Sequence, residues 1–261
     1  MKTKALFFDI DGTLVSFKTH HIPQSTVDAL HEAHKRGIKI VIATGRPFSI
    51  VTNLSEISDI IDGYITANGA FCFIGKHVVH CEPVPEDDVK TVIRFAREMQ
   101  FACLIAGERD TIFYQTNDTA RRIFNVLLDV HNVKETEEVD DVLQQRILEL
   151  TPIITEAQER EIMPHINGCI SLRWHPEFTD ITSRKAEKSN GIRPIAQALG
   201  IEMSETMAFG DGGNDKEMLR KAGIGVAMGN ALEPVKSVAD YVTSSVDDDG
   251  IARALKHFQV I

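Results

Sequence analysis

The stretch KALFFDIDGTLV, residues 4–15, joins an apolar run to two aspartates, a glycine and a threonine. Such a run is typical of a strand whose two faces are both covered by helices, as in parallel sheets. Side chains at i and i+2 share one face of an extended chain, so Asp9 and Asp11 can converge at the strand's end. Carboxylates that close together need a cation, a shared proton or both. The stretch therefore predicts a buried strand that ends in a chemical site.

The segments around this strand repeat one alternation of helix and strand. IKIVIAT (38–44) is a second apolar strand, and the residues between the two strands have helical periodicity. The alternation returns after Lys188, where ETMAFG and IGVAM are strands separated by a helix. This pattern predicts an α/β fold with a Rossmann-like, doubly wound parallel sheet, which binds ligands beyond the carboxyl ends of its strands.

The middle of the chain is less regular. Pro83 and Pro85 interrupt the first pattern, and helices and strands then follow in mixed order up to about residue 182. We therefore predict a core of residues 1–82 and 183–261 and an inserted α+β domain, residues 83–182.

Composition excludes several classes of function. A net charge of -10 over 261 residues disfavours nucleic acid as a partner. The apolar start meets Asp9 before it reaches the length of a signal peptide, and no apolar run approaches the ~18 residues of a membrane span. The four cysteines contain no CxxC pair, which favours reduced thiols. We expect a cytoplasmic protein that does not bind membranes, and the sequence does not indicate its oligomeric state.

The second strand ends in ATGR. Thr44 offers a hydroxyl, and the backbone amides at Gly45 and Arg46 can approach phosphate oxygens. Taken alone, this segment is only a weak signal of a functional site.

A third strand ends in GDGGND, residues 210–215, and brings Asp211, Asn214 and Asp215 to the start of the next helix. A capping turn would use the same residue types. Turn formation does not require residues of this kind at three strand ends of one sheet. Clustered carboxylates suit a hard cation such as Mg²⁺.

Together these segments resemble the motifs of the haloacid dehalogenase-like phosphatases. The residues that match these motifs, in order, are Asp9 with Asp11, Thr44, Lys188, and Asp211 with Asp215. The insertion, with TANGA (66–70) and AMGNA (227–231), resembles the Cof-like, sugar-phosphatase-like subgroup with an α+β cap. Lys185 competes with Lys188 for the lysine position, and we prefer Lys188.

The resemblance implies that Asp9 attacks phosphorus and forms an aspartyl phosphate. Asp11 would protonate the leaving oxygen and then deprotonate the attacking water. Mg²⁺ would be bound by the Asp9 carboxylate, the Asp11 main-chain carbonyl and Asp211, with Asp215 acting through water.

Phosphate contacts are expected from Thr44, Gly45, Arg46 and Lys188, with Asn214 orienting Lys188 or Asp9. The inserted domain would choose the substrate, and a sugar phosphate is the first expectation. Residues of that domain that could contact a sugar are Glu108, Arg109, Arg173, Trp174 and Asp180.

Two alternatives stay open from the sequence. A phosphomutase or phosphotransferase would pass the same phosphoryl group to a sugar hydroxyl. A catalytically silent module would only bind a phosphate ligand, although Asp11, which acid catalysis needs, argues against this alternative.

Overall fold

The computed structural model of the protein describes residues 2–127, 130–131 and 133–261. The strands in these residues are β1 (Ala5–Phe8), β2 (Lys39–Ala43), β3 (Ile61–Thr66), β4 (Phe71–Ile74), β5 (His77–Cys81), β6 (Cys103–Gly107), β7 (Thr111–Tyr114), β8 (Lys134–Thr136), β9 (Ile147–Pro152), β10 (Cys169–His175), β11 (Phe178–Ser183), β12 (Thr206–Gly210), β13 (Ile224–Ala227) and β14 (Tyr241–Val242).

The α-helices are α1 (Gln24–Lys35), α2 (Glu86–Met99), α3 (Asp118–Arg121), α4 (Glu156–Ile162), α5 (Lys188–Ala198), α6 (Lys216–Lys221), α7 (Glu233–Lys236) and α8 (Gly250–His257). A π-helical segment, Arg122–Leu127, continues α3. Among the described residues, no helix combines the length and the apolar character that crossing a bilayer requires.

The chain divides into two compact units. The first, which we call the core unit, comprises Met1–Arg46, Val51–Cys81 and Glu187–Ile261. The second, the inserted unit, comprises Pro47–Ile50 and Glu82–Ala186. The strands form an eight-stranded sheet from the core unit and a six-stranded sheet from the inserted unit.

The core unit is an α/β structure, as predicted. Its sheet has the order β14-β13-β12-β1-β2-β3-β4-β5, parallel up to β3 and closed by the antiparallel β4 and β5. Alternate residues of β1 point to opposite faces, where Leu6 and Phe8 pack with residues of α1 and α8. Ala5 and Phe7 pack with residues of α5 and α6. Because both faces are covered, β1 contains no polar residue.

The inserted unit is an α+β structure around a sheet of order β10-β11-β9-β6-β7-β8. Its strand pairs are antiparallel except for β7 and β8. Helices α2 and α4 contribute to an apolar cluster on one face, which includes Ile105 and Leu150. A second cluster contains Leu104, Phe113 and Phe178 together with Phe124 of the π-helical segment.

Candidate active site

Three neighbouring strand ends bring the predicted site residues to one edge of the eight-stranded sheet. Phe8 of β1 lies opposite Phe209 of β12 and Ile42 of β2, and all three strands are parallel. Asp9 directly follows β1, and its backbone N–H donates to the Phe209 carbonyl at 3.1 Å. Thr44 follows β2 in the same way. The register of the sheet therefore explains why residues distant in sequence meet here.

A buried lysine joins two of the carboxylates. Lys188 Nζ donates to Asp9 Oδ1 at 2.5 Å and to Asp215 Oδ1 at 2.8 Å. Lys188 begins α5, so the backbone at the helix start fixes its direction. The side chain of Lys185, the competing lysine, is 81% exposed and lies 4.0 Å from Glu82. Lys188 is thus the lysine in contact with Asp9.

Asp215 is fully buried and also organises the loop that carries Asp211. Its Oδ2 accepts the backbone N–H groups of Asp211 at 3.0 Å and Gly212 at 2.8 Å. Gly210 permits this close approach, because a Cβ at that position would lie 2.4 Å from the Cβ of Asp215. Both Asp215 oxygens therefore have donors, which suits a carboxylate that supports the site.

Asp211 is held by donors from two other loops. Thr13 Oγ1 donates to Asp211 Oδ1 at 3.0 Å, and Asn230 Nδ2 donates to Asp211 Oδ2 at 3.1 Å. Asn230 also donates to the Gly12 carbonyl at 2.8 Å. Gly12 has a φ of +83°, and a Cβ there would lie 2.3 Å from Asp211 Oδ2, so glycine is required. Thr13 and Asn230 were not predicted as site residues, although they lie in the DIDGT and AMGNA segments.

The residues present fit a divalent cation. Carboxylate oxygens of Asp9, Asp211 and Asp215 lie within 4.8 Å of one another, close enough to surround one ion. An all-oxygen donor set matches the preference of Mg²⁺, which also retains several waters. The arrangement therefore supports the predicted metal site by the chemistry of its donors.

Burial and mutual repulsion shift the pKa values of the clustered carboxyl groups. Burial, and then the charge of Asp215, raise the pKa of Asp9 well above its usual value, while Lys188 opposes the rise. Burial also raises the pKa of Asp211 to about 6, with a further contribution from Asp215. Burial alone would lower the pKa of Lys188, but Asp215 and Asp9 outweigh it and raise that pKa. A divalent cation would lower both carboxyl pKa values, because opposite charge favours the ionised form.

Asp11 faces Arg46. Arg46 Nε donates to Asp11 Oδ2 at 2.9 Å, and its NH2 group donates to Asp11 Oδ1 at 2.8 Å. This two-point contact fixes the plane of the Asp11 carboxylate. Arg46 was predicted to contact phosphate through its backbone amide, and its guanidinium contacts Asp11, the predicted acid and base.

The remaining predicted phosphate contacts lie in the loops that follow β2 and β12. Thr44 Oγ1 accepts the backbone N–H of Arg46 at 3.1 Å and keeps its own proton available for donation. Asn214 Nδ2 donates to Asn68 Oδ1 at 3.0 Å instead of to Lys188 or Asp9. A Cβ at Gly45 would lie 3.2 Å from the same Asn68 oxygen. Asn68, in the quoted TANGA segment, is therefore a further residue that shapes this loop.

The predicted sugar contacts of the inserted unit have protein partners. Glu108 pairs with Arg146 at 2.6 Å, and Arg173 pairs with Glu159. The backbone N–H of Arg109 donates to Gln145 at 2.7 Å, and Asp180 accepts from Thr151 at 2.9 Å. The side chain of Trp174 lies outside the described residues.

Comparison with known proteins shows similarity over the whole chain. A family model described as haloacid dehalogenase-like hydrolase matches residues 6–255. The solved structure of the HAD subclass IIB sugar phosphatase BT4131 is 48% identical, with a TM-score of 0.88 over 99% of this chain and 100% of that one. The phosphatase BT1666 from Bacteroides thetaiotaomicron is 40% identical, with a TM-score of 0.84 over 100% and 96%. Phosphatase YwpJ of Bacillus subtilis (strain 168) is 30% identical over 97% of this chain and 99% of that protein.

Proposed function

The chain belongs to the haloacid dehalogenase-like hydrolases, and from this premise we propose that it is a Mg²⁺-dependent sugar phosphatase that works through an aspartyl phosphate on Asp9. The observation that carries the proposal is the buried contact of Asp9 with Lys188 beside Asp211 and Asp215. A carboxylate in this position is oriented and surrounded by charge, as a nucleophile that attacks phosphorus requires. The similarity to a sugar phosphatase supports the substrate class.

In the first step an Asp9 oxygen attacks phosphorus, and the bond from phosphorus to the ester oxygen breaks. Asp11 gives its proton to that leaving oxygen, so an alcohol departs. In the second step Asp11 takes a proton from water as the water attacks phosphorus, and the bond between Asp9 and phosphorus breaks. Free phosphate leaves, and both aspartates return to their starting states.

The other residues position these groups. Lys188 holds Asp9 and offers positive charge to the phosphoryl oxygens, and the Thr44 hydroxyl can donate to the same oxygens. Arg46 donates to both oxygens of Asp11, so its two-point contact aligns the carboxylate that takes a proton from water in the second step. Bound Mg²⁺, held by Asp9, the Asp11 carbonyl and Asp211 with support from Asp215, would neutralise charge on the transferring group.

We propose a matching division of labour between the parts of the chain. Residues 1–82 and 183–261 carry the chemistry, and residues 83–182 choose the substrate. The separation of core unit and inserted unit supports this division, with bounds near residues 81 and 187 and with 47–50 added to the inserted unit. Replacing residues 83–182 with the corresponding segment of BT4131 should transfer the substrate preference of that protein. The cytoplasmic location stays a prediction from the sequence.

The proposal is tested by phosphate release from a panel of sugar phosphates, with Mg²⁺ or EDTA, using the wild type and Asp9→Asn. We expect Mg²⁺-dependent turnover that falls by several orders of magnitude in the folded variant. Near-normal turnover of Asp9→Asn would refute the nucleophile assignment. Adding free sugar as an acceptor separates hydrolysis from transfer, because transfer would yield new sugar phosphate in excess of free phosphate.

A further inference from the structure

Three consecutive residues of the TANGA segment adopt a left-handed backbone, and we call them the left-handed turn: Ala67, Asn68 and Gly69. Their φ angles are +47°, +51° and +88°. Glycine adopts such angles freely and asparagine tolerates them, whereas alanine rarely does, because its Cβ crowds the backbone. All three residues are buried. A backbone of this kind persists only where the surrounding contacts require it, so the contacts of the turn indicate its role.

The backbone of the left-handed turn holds the segment that directly follows β2. The N–H of Ala67 donates to the Arg46 carbonyl at 2.9 Å, and the N–H of Asn68 donates to the Thr44 carbonyl at 3.2 Å. The N–H of Thr44 in turn donates to the Ile65 carbonyl at 2.8 Å. These bonds continue the parallel pairing of β2 and β3 past the ends of both strands. The peptide groups on both sides of Thr44 are therefore fixed, while its hydroxyl keeps a proton for a ligand.

The side chain of Asn68 joins this segment to a second loop of the site. Asn68 Oδ1 accepts from Asn214 Nδ2 at 3.0 Å, although the two residues are 146 positions apart in the sequence. A Cβ at Gly45 would lie 3.2 Å from Asn68 Oδ1 and 3.6 Å from Asn214 Nδ2, so the paired amides lie against the Gly45 backbone. Asn68 is only 7% exposed. This bond therefore holds the loops after β2 and β12 together in a place that water hardly reaches.

The left-handed turn also packs against the start of α5. A Cβ at Gly69 would lie 2.1 Å from the Glu187 carbonyl oxygen and 3.1 Å from the Lys188 backbone nitrogen, so only glycine fits there. Lys188 is the first residue of α5. The turn therefore contacts all three segments that carry Thr44, Lys188 and Asn214.

We propose that Asn68 is a positioning residue for phosphate binding. Its side chain holds Asn214 against Thr44 and Gly45, whose hydroxyl and backbone amide donate to the phosphoryl oxygens. This inference rests on the proposed phosphatase function and deepens it by naming a residue that orders the phosphate site. Asn68 transfers no proton and acts through the residues that it holds. Donors that are fixed before the ligand arrives bind it more tightly, because binding then costs less ordering.

The test removes the Asn68 side chain and leaves the left-handed backbone in place. Asn68→Gly does this, because glycine adopts the same φ without strain and keeps the N–H that donates to Thr44. Asn53→Gly is the matched control, since Asn53 is an asparagine with a φ of +61° that takes part in none of these contacts. Asn214→Ala removes the partner side chain, and the double variant of Asn68 and Asn214 completes a mutant cycle.

The first readout is the affinity for inorganic phosphate in the presence of Mg²⁺, measured by calorimetry. We expect Asn68→Gly to weaken binding by about 10-fold, the effect of disturbing a hydrogen bond to a charged group. Asn53→Gly should stay within about twofold of the wild type. In the Asn214→Ala background Asn68→Gly should have little further effect, because the two side chains act as a pair. Additive losses, or an unchanged affinity of Asn68→Gly, would overturn the assignment.

Steady-state kinetics give a second readout, which a loss of stability alone would not produce. Asn68→Gly should raise KM by the same factor for glucose 6-phosphate and p-nitrophenyl phosphate, because these esters share the phosphate and differ in the leaving group. A rise for one ester alone would overturn the assignment.

Phosphate affinity separates this inference from the proposed function, because it requires no turnover. If the wild type binds phosphate and hydrolyses neither ester, the proposed function fails, and the affinities of the variants still decide the role of Asn68. If both esters are hydrolysed and Asn68→Gly binds phosphate as the wild type does, only this inference fails.

Discussion

Replacing Lys188 with methionine tests the centre of the site. The change keeps an unbranched side chain that is one atom shorter and removes the charge that pairs with Asp9 and Asp215 at 2.5 and 2.8 Å. Both carboxylates are buried and would lose their cation. Breaking a buried ion pair from one side typically costs about 3–5 kcal/mol, because the remaining charge is left uncompensated. We therefore expect a loss of this size in the free energy of unfolding at neutral pH.

The assay is urea unfolding followed by circular dichroism, in EDTA and in Mg²⁺. Lys185→Met is the matched control, since its exposed side chain should contribute no more than about 0.5 kcal/mol. In the variant, Mg²⁺ at a hundredfold excess over its Kd should restore about 2.7 kcal/mol, because a cation again compensates the carboxylates. Equal stabilities of the two lysine variants in EDTA would show that Lys188 does not compensate the buried carboxylates.

Three further predictions follow from single contacts. Arg46→Lys should lower kcat in the wild type and have little further effect in an Asp11→Asn background, because Arg46 acts through Asp11; equal losses in both backgrounds would place the guanidinium on the substrate. Asn230→Ala should weaken Mn²⁺ binding, measured by electron paramagnetic resonance, about 10-fold to 100-fold, since it frees Asp211; unchanged affinity would contradict this orienting role. The raised pKa of Glu149 means that the folded protein binds the Glu149 proton more tightly than the unfolded chain does. The free energy of unfolding should therefore fall, relative to Glu149→Gln, as pH rises above about 4.3 towards the folded pKa. If urea titrations show the same difference between the two proteins at every pH, the raised pKa is refuted.

The sequence was sufficient for the fold of the core unit because its signals are local. An apolar strand that ends in Asp9 and Asp11 and a second that ends in Thr44 require neighbours on both faces, and the doubly wound sheet supplies them. The same reasoning indicated that side chains at these strand ends would gather. The register of the core sheet then follows from the parallel order of β12, β1 and β2.

Contacts between side chains that are distant in the sequence could not be predicted in this way. Lys185 and Lys188 lie in one short basic segment, and only the burial of Lys188 against Asp9 separates them. Arg46 follows a strand end as a phosphate-binding residue would, yet its carboxylate partner lies 35 residues away in sequence. Glu149 looks like any polar residue that alternates with apolar ones in a strand, and its lack of a partner becomes visible only with its neighbours in place.

The charges of the site connect the metal to the substrate. Four carboxylates, on Asp9, Asp11, Asp211 and Asp215, surround two cationic side chains, Lys188 and Arg46, which leaves two formal negative charges. A phosphate monoester would bring further negative charge into this partly buried place, where repulsion is weakly screened. One divalent cation would cancel the two negative charges of the site. The same carboxylates that make Asp9 a nucleophile would therefore exclude the substrate until the cation is bound, so binding of metal and of phosphate must be coupled, each favouring the other.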